Sequence, residues 1–444
     1  MYQTTCIQIK NNQDGLFSYC QEFTNLAKLF KNSVIFRCRQ LLSAKYKNFQ
    51  NLSDNELLVL DEFKLTEDKF KPISNKYYLP NYNHFVYLFT KTHNVDYYNN
   101  LPMQSSQQII KECLQDFKSY FKAIKDYKKH PSKYNGKPKL PNYIKSDNTS
   151  FDMTNQDCVI KNNNTLKLPK TKQVLNLGKL SIKNLKEVTI KPYYNTYKIC
   201  LVYEVDDTNL NKQKLDENRI LGIDLGVTNI VSTSNNCGLV PFVINGNGLK
   251  SFNQWFNKTK ASLQSILPSN KYSSHRLEYL YQYRNNRTSD YYNKVASYIV
   301  NYCVNNNIGT IIIGQNVQWK TSINIGSKNN QTFCNIAHTN LINKINQLSK
   351  KVGIFVMLIE ESYTSKASFL DGDDIPTYKQ DDETNYQFSG KRIYRGLYKT
   401  KDGILINADI NGASNIIKKG NPLAFKNIND LSYLYKSVDK ILIK

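Results

Sequence analysis

The sequence predicts an α+β protein of more than one domain, with strands interrupted by helices in the N-terminal half and an α/β layer in the C-terminal half. Three observations predict it. At 444 residues the chain exceeds what one core usually serves. In the first half, short runs of period-two alternation stand on either side of a long stretch of helical period. In the second half, apolar runs such as Ile311-Ile312-Ile313 alternate with amphipathic stretches, which is how buried strands and their covering helices read.

Composition narrows the partners. Sixty Lys and Arg stand against 36 Asp and Glu, a formal net charge of +24. Such a chain suits a polyanion, with nucleic acid first and an anionic membrane surface second. No apolar run approaches the ~18 residues that span a bilayer. The start, Met1-Tyr2-Gln3-Thr4-Thr5-Cys6, is not a charged-then-apolar leader, so a cytoplasmic location is expected. The nine cysteines are scattered, odd in number and without a C-x-x-C pair. They read as reduced, buried thiols, with neither a disulfide framework nor a cysteine zinc site.

Taken in order, Thr5 to Lys10 alternates like a strand. From Leu16 to about Leu60 the period turns helical, through Phe23, Leu26, Leu29, Phe30, Val34 and Ile35, with Ser53 or Asp54 as a helix cap. A helix over Pro102–Tyr127 is opened by Ser105 or Ser106 and buries Ile109, Ile110, Cys113, Phe117, Phe121 and Ile124. It runs into a basic arm of nine lysines and one acid between Lys118 and Lys145. Lys118, Lys122, Lys125, Lys128, Lys129, Lys137 and Lys139, with tyrosines interleaved, suit a phosphate backbone with stacked bases. Five short strands follow between Cys158 and Val205, spaced like a small antiparallel barrel that the strand near residue 7 would close. Lys167, Lys172 and Lys179 make one of its faces basic.

After a polar linker, Asp206 to Asn218, the chain reads as one α/β domain. Strands at Ile220–Leu225, Asn229–Thr233 and Leu239–Ile244 precede a long helical region, about Leu249 to Asn307, that carries Arg276, Arg284 and Arg287. A buried strand at Gly309–Gly314, a helix at about Cys334–Lys351, a strand at Gly353–Glu361, a loop-rich stretch and a helix opening at Asn407 complete it. The order βββαβαβα is the ribonuclease H-like order.

Three acids stand where that order puts its chemistry. Asp224 lies on the first strand, Glu360 or Glu361 ends a later one, and Asp409 opens the last helix. Converging strand-end carboxylates can hold two Mg²⁺ ions about 4 Å apart and clamp both oxygens of a phosphodiester displacement. Singly, each acid reads as structural, Asp409 for instance as a helix-dipole partner. The acidic turn Asp371-Gly372-Asp373-Asp374 reads as a solvated loop.

Gly222-Ile223-Asp224-Leu225-Gly226, Tyr363-Thr364-Ser365-Lys366 and Asn407-Ala408-Asp409-Ile410-Asn411-Gly412-Ala413-Ser414-Asn415-Ile416 together resemble the RuvC-like nuclease domain of the TnpB family. These are transposon-encoded, RNA-guided DNA endonucleases related to Fanzor proteins and type V CRISPR effectors. The resemblance covers about Asn218 to Lys419. It implies a RuvC-like domain at 218–444 with a nucleic-acid-binding insert at 362–405, a wedge-like barrel from 1–15 and 148–210, and a helical recognition insert at 16–147. It also implies catalysis by Asp224, Glu361 and Asp409 on Mg²⁺, with Thr364, Ser365, Asn411 and Asn415 as motif support. The implied partners are a guide RNA from the flank of the chain's own gene and target DNA beside a short motif, in a prokaryotic, nucleoid-associated setting.

Two departures matter. The family's usual second acid follows the strand ending at Gly314, where this chain has none. A branch of the family, and Fanzor, carry the glutamate on the next strand, which Glu361 matches, with Glu360 as the fallback. The usual zinc knuckle also lacks its cysteines, since Ser368 and Asp371 stand in the first pair's place, so no zinc is expected. The insert still offers Lys391, Arg392 and Arg395 to nucleic acid. Gly314 keeps a second reading open, a nuclease-dead RNA-guided DNA-binding repressor. Gly-Ile-Asp-Leu-Gly also resembles the phosphate loop of actin-like and sugar-kinase-like ATPases, but no second phosphate loop or adenosine motif follows it.

Overall fold

Strand β1 (Tyr2–Ile9) pairs antiparallel along its whole length with β7 (Thr196–Glu204), so the two ends of the first unit are stitched together. The computed structural model describes residues 2–73, 79–161, 164–205, 214–315, 336–377 and 384–443. The chain divides into two units, 1–207 and 208–444. None of the described helices is long and apolar enough to cross a membrane.

In the first unit, α1 (Asp14–Ala44) buries a stripe of Phe23, Ala27, Phe30, Val34, Cys38 and Leu41, at the three-and-four spacing of a helix face. Helix α2 (Asp54–Lys64) opens on a capping box in which the Ser53 side chain accepts from the Glu56 N–H and Glu56 accepts from the Ser53 N–H. Asn81 caps α3 (Tyr82–Lys91). Helix α4 (Met103–Lys129) starts directly after Pro102, ahead of the expected serines. Proline lacks the N–H that a helix start leaves unpaired, so the chain turns helical at once. Ser105 and Ser106 are buried in its first turn, and Phe121 is exposed. The segment after α4 runs along α1. Asn32 exchanges hydrogen bonds with the Ile144 backbone, and Arg39 donates to the Pro141 carbonyl and lies over the Tyr143 ring.

The expected barrel does not close. β2 (Phe151–Thr154), β6 (Asn184–Tyr193), β7 and β1 form one open sheet of order β1-β7-β6-β2, while β3 (Val159–Lys161), β4 (Thr165–Lys167) and β5 (Val174–Asn176) pair only among themselves. β1 takes an edge beside β7 and does not close a barrel, since no ladder among the described residues joins the two edges. Helices and sheets share one core, from Phe30 and Phe89 to Val188 and Leu201. The reading of all cysteines as free thiols is also corrected. Cys6 and Cys200, 194 residues apart, face each other in the β1–β7 register and are bridged. Tertiary pairing, not spacing, brings them together. Cys20, Cys38, Cys113, Cys158, Cys237 and Cys303 are free, and Cys334 lies outside the described residues.

In the second unit, β8 (Asp216–Asp224), β9 (Asn229–Asn235), β10 (Phe242–Asn245), β11 (Ile308–Gly314), β12 (Phe355–Ile359) and β16 (Asp439–Ile441) form a six-stranded sheet of order β12-β11-β8-β9-β10-β16. β8, β11 and β12 run parallel, and β9 runs against them. Edge strand β16 was not legible in the sequence. The long helical region is two helices, α5 (Asn247–Ser265) and α6 (His275–Asn305), separated around Pro268. Helix α7 (His338–Val352) stops at Gly353, whose φ of 88° is the left-handed conformation glycine supplies. The loop-rich stretch holds a small sheet of β13 (Lys391–Tyr394), β14 (Leu397–Lys399) and β15 (Leu405–Asn407), which leads into α8 (Ala408–Gly420), and α9 (Tyr433–Lys436) follows.

Strand parity decides what each face carries. Leu221, Ile223, Ile311 and Ile313 join the core under α6 and α7. Ile220 and Ile312 pack against Ile416 and Ile417 of α8. A Cβ on Gly222 would stand 2.4 Å from Ile417 Cγ1 and 2.6 Å from the Ala413 carbonyl oxygen, so α8 rests directly on that glycine. Asp224 and Gly314 share the α8 face by the same parity.

Candidate active site

The site forms at the carboxyl ends of the parallel strands. Asp224 is the last residue of β8. Gly314 ends β11, the strand between β8 and β12, and pairs with Ile359 at the end of β12. Glu361 follows two residues later. Its carboxylate leans over Gly314: a Cβ there would meet Glu361 Oε2 at 2.8 Å and Ile416 Cδ1 at 2.6 Å. The space that a side chain on β11 would fill therefore belongs to the glutamate of the next strand. On the other side, a Cβ on Gly412 of α8 would stand 2.8 Å from Asp224 Oδ2. Two glycines thus make room for two carboxylates.

Asp409 enters from α8. The Asn407 side chain caps that helix by accepting from the N–H groups of Asp409 and Ile410. Asp409 Oδ2 accepts from Asn229 Nδ2 at 2.8 Å, and Oδ1 lies 3.5 Å from the Arg392 guanidinium. Burial, then the charge of Asp409, raise the Asp224 carboxyl to about 7 against the pull of Arg392. Burial, then the charges of Asp224 and Glu360, raise Glu361 to about 8.

The adjacent Glu360 is engaged elsewhere. It accepts from Lys419 Nζ at 2.5 Å and from the Ser362 N–H at 2.7 Å. Burial works to raise its carboxyl, but these bonds win and hold it below the usual range.

A polar staple fixes the turn that carries Glu361. Thr364 Oγ1 donates to the Glu361 carbonyl at 2.8 Å. Asn415 Nδ2 donates to the carbonyls of Thr364 and Ala367, and Asn411 bridges the Ala367 carbonyl and the Phe369 N–H. Ser365 is exposed and outside this staple. In the acidic turn, Asp373 accepts from Ser368 and Ser389, and Asp371 from the Lys401 N–H, so these acids pin the small sheet.

Three oxygen-only carboxylates suit a hard cation such as Mg²⁺, and the raised Asp224 and Glu361 are groups that such a cation would relieve. Among the described residues, no three His, Cys, Asp or Glu side chains stand together as a ready-made metal cage. The donor chemistry fits, and Asp409 is turned toward Asn229 and Arg392.

The basic residues divide by environment. Lys118, Lys122, Lys125, Lys128, Lys129, Lys137, Lys139, Lys167, Lys172 and Lys179 are exposed on the first unit. On the second, Arg276 is exposed, whereas Arg284 lies over the Phe256 ring and donates to Asn253, and Arg287 lies over Phe252. Arg392 reaches Asp409, and Arg395 donates to Thr228 Oγ1, so this pair rims the acids. Sequence reasoning missed Asn229, the room that Gly412 leaves for Asp224 and the Lys419 partner of Glu360, and it marked Gly314 only as a lost acid. Gly412 stands inside the last motif, where its place was legible.

Residues 200–320 match the OrfB_IS605 family model, described as a probable transposase. No curated protein matches the chain. Among solved structures, the chain is similar to a Cas12f1–sgRNA–target DNA complex at 14% identity, covering 93% of this chain and 98% of that one with a TM-score of 0.33. It is also similar to the mini RNA-guided endonuclease CRISPR-Cas_phi3 at 9% identity, covering 94% and 92% with a TM-score of 0.45. The matched segment contains β8 with Asp224, the α5–α6 pair and β11 up to Gly314, and over it the chain is similar to the OrfB_IS605 family.

Proposed function

We propose that the chain is a transposon-encoded, RNA-guided DNA endonuclease with a RuvC-like, ribonuclease H-like nuclease domain in its second unit. The observation that carries the reading is Glu361 leaning over Gly314 toward Asp224, which supplies from the next strand the acid that β11 lacks. The charge of +24 and the OrfB_IS605 match support the nucleic-acid partner. Sequence choice is delegated to pairing between a guide RNA, from the flank of the chain's own gene, and one DNA strand beside a short motif. The protein acts in a prokaryotic cytoplasm, on the nucleoid.

Asp224, Glu361 and Asp409 would hold Mg²⁺. When bound, the metal supplies Lewis-acid stabilisation and an acidified water. The residues do the rest. Gly314 and Gly412 leave the carboxylates room, and the Thr364–Asn415–Asn411 staple fixes the Glu361 turn. Asn229 orients Asp409, and Arg392 and Arg395 offer cations to a phosphate at the rim.

The repressor reading draws on Gly314, which leaves β11 without its acid, and on the Arg392–Asp409 pair. The ATPase reading loses ground because Gly222 is filled by α8 and a Cβ on Gly226 would meet the Asn229 carbonyl at 2.5 Å, so both glycines serve packing and a tight turn.

The test is co-expression with RNA from the 3′ flank of the gene, then incubation of the complex with Mg²⁺ and a plasmid library randomised beside the guide-matched target. Cuts at a fixed offset, lost in Asp224→Ala, are expected. RNA and target held without cutting would establish the repressor. No bound RNA would overturn both.

A further inference from the structure

The α5–α6 pair presents aromatic rings that the acid cluster does not use. Trp255 on α5 is 47% exposed and Tyr283 on α6 is 40% exposed, and their centroids lie 6.0 Å apart at an interplanar angle of 82°. Buried Phe252 supports both, stacked against Trp255 at 5.5 Å and edge-on to Tyr283 at 5.7 Å. The Arg287 guanidinium lies 4.5 Å over Phe252 and donates to the Tyr283 hydroxyl at 3.1 Å. The rings are braced by Phe252 and Arg287 and remain open to water. Tyr279, one helical turn before Tyr283, is 66% exposed. Beside Phe252 and Arg287 opens a cleft of about 210 Å³, lined also by Leu249 and Tyr291.

Charge selects the partner. Residues 247–290 carry seven Lys and Arg against Glu278 and Asp290, and α5 has no acid at all. A second copy would meet this surface with like charge. Single-stranded nucleic acid brings anionic phosphates and flat π faces together. Position agrees. The pair is rooted where the Gly246 N–H donates to the Thr228 carbonyl at 2.7 Å, at the Asp224 end of the sheet. Trp255 lies eight residues beyond Asn247, about 12 Å along the helix.

We infer that Trp255 and Tyr283 form a base-stacking platform for an unpaired nucleotide of the strand whose phosphates pass the acid cluster. This rests on the proposed function for its partner. Trp255 offers its open face to the base and Tyr283, at 82° to it, meets that base edge-on, with the exposed Lys258 and Arg276 on the same two helices for the phosphates.

The test uses the full chain with its co-expressed RNA, in a Trp319→Phe background that leaves Trp255 as the one tryptophan. Titration with an oligothymidylate is expected to quench the Trp255 emission. Trp255→Ala should weaken binding about 5- to 150-fold, the worth of one stacked base, while Trp255→Phe keeps most of the affinity. Tyr283→Ala, which leaves the tryptophan as reporter, should reduce both affinity and quenching. Oligonucleotide retained in a mobility shift with unquenched emission and unchanged affinity in both alanine variants would overturn the platform and leave the endonuclease reading standing. Dimerisation that depends on Trp255, without quenching, would assign the patch to a second copy and overturn it. No oligonucleotide bound in any assay would overturn the platform, while cleavage of the guide-matched target stays the separate test of the endonuclease reading.

Discussion

Glu360 and Glu361 are neighbours in sequence with opposite surroundings, and that difference gives the sharpest prediction at the residue scale. Glu361→Gln should abolish cleavage while RNA and target remain bound, read by cleavage and mobility shift on one preparation. Glu360→Gln should keep cleavage and lose only the Lys419 contact. Equal loss in both would contradict the assignment. Gly314→Ala should act like a loss of Glu361. Its Cβ would crowd Glu361 Oε2 and Ile416, an overpacking of about 1–3 kcal/mol. The titration of the acids sets a sign as well. In metal-free protein Asp224 and Glu361 hold protons up to about 7 and about 8, whereas unfolded carboxyls release them near 4. The folded state therefore binds more protons across that window, and stability falls as pH rises through it. The melting temperature should be lower at about pH 8.5 than at about pH 6, with Asp224→Asn flattening the fall and added Mg²⁺ reversing it. A wild-type melting temperature that climbs over this range would refute the coupling.

At the scale of elements, α8 does two jobs. It seats against Gly222 of β8, and its Asn411 and Asn415 side chains hold the turn after β12. Asn415→Ala should strip the Thr364 carbonyl of its side-chain donor in a buried place and leave the Ala367 carbonyl with Asn411 alone. The expected cost is about 1–3 kcal/mol by urea unfolding, with cleavage reduced more than nucleic-acid binding. In the first unit the Ser53–Glu56 capping box fixes the start of α2. Ser53→Ala should lower stability by about 1 kcal/mol and leave the active site untouched.

For the whole molecule, charge is the dominant fact. Lys118, Lys122, Lys125, Lys128 and Lys129 are exposed along the end of α4. If all five meet phosphates of a single strand, neutralising them should shallow the log–log salt dependence of RNA binding by about 3.5, at roughly 0.7 per contact. The weakening should be uniform across sequences. A change that depends on the guide sequence would mean these lysines read bases.

Much of the fold is legible in the order of residues alone. Alternation and helical period place β1, α1, α4, β8, β11 and α8, because each buries a face that its own sequence writes. Motif and element order mark the acids Asp224, Glu361 and Asp409. The open sheet in place of a barrel is not legible, since strands of three residues such as β3, β4 and β5 carry no record of which edge they meet. Nor is the Cys6–Cys200 bridge, which depends on the register of strands nearly two hundred residues apart.

The sequence by itself determined the charge, the alternation of strands and helices, and the places of Asp224, Asp409 and a Glu360–Glu361 pair as candidate acids, because these are local properties of the chain. Only the tertiary structure gives the two glutamates different surroundings. Glu360 falls to Lys419 and Glu361 leans over Gly314 because the sheet sets β11 between β12 and β8. A missing side chain on one strand then becomes space for the carboxylate of the next, and that exchange depends on which strands are neighbours, not on residue spacing.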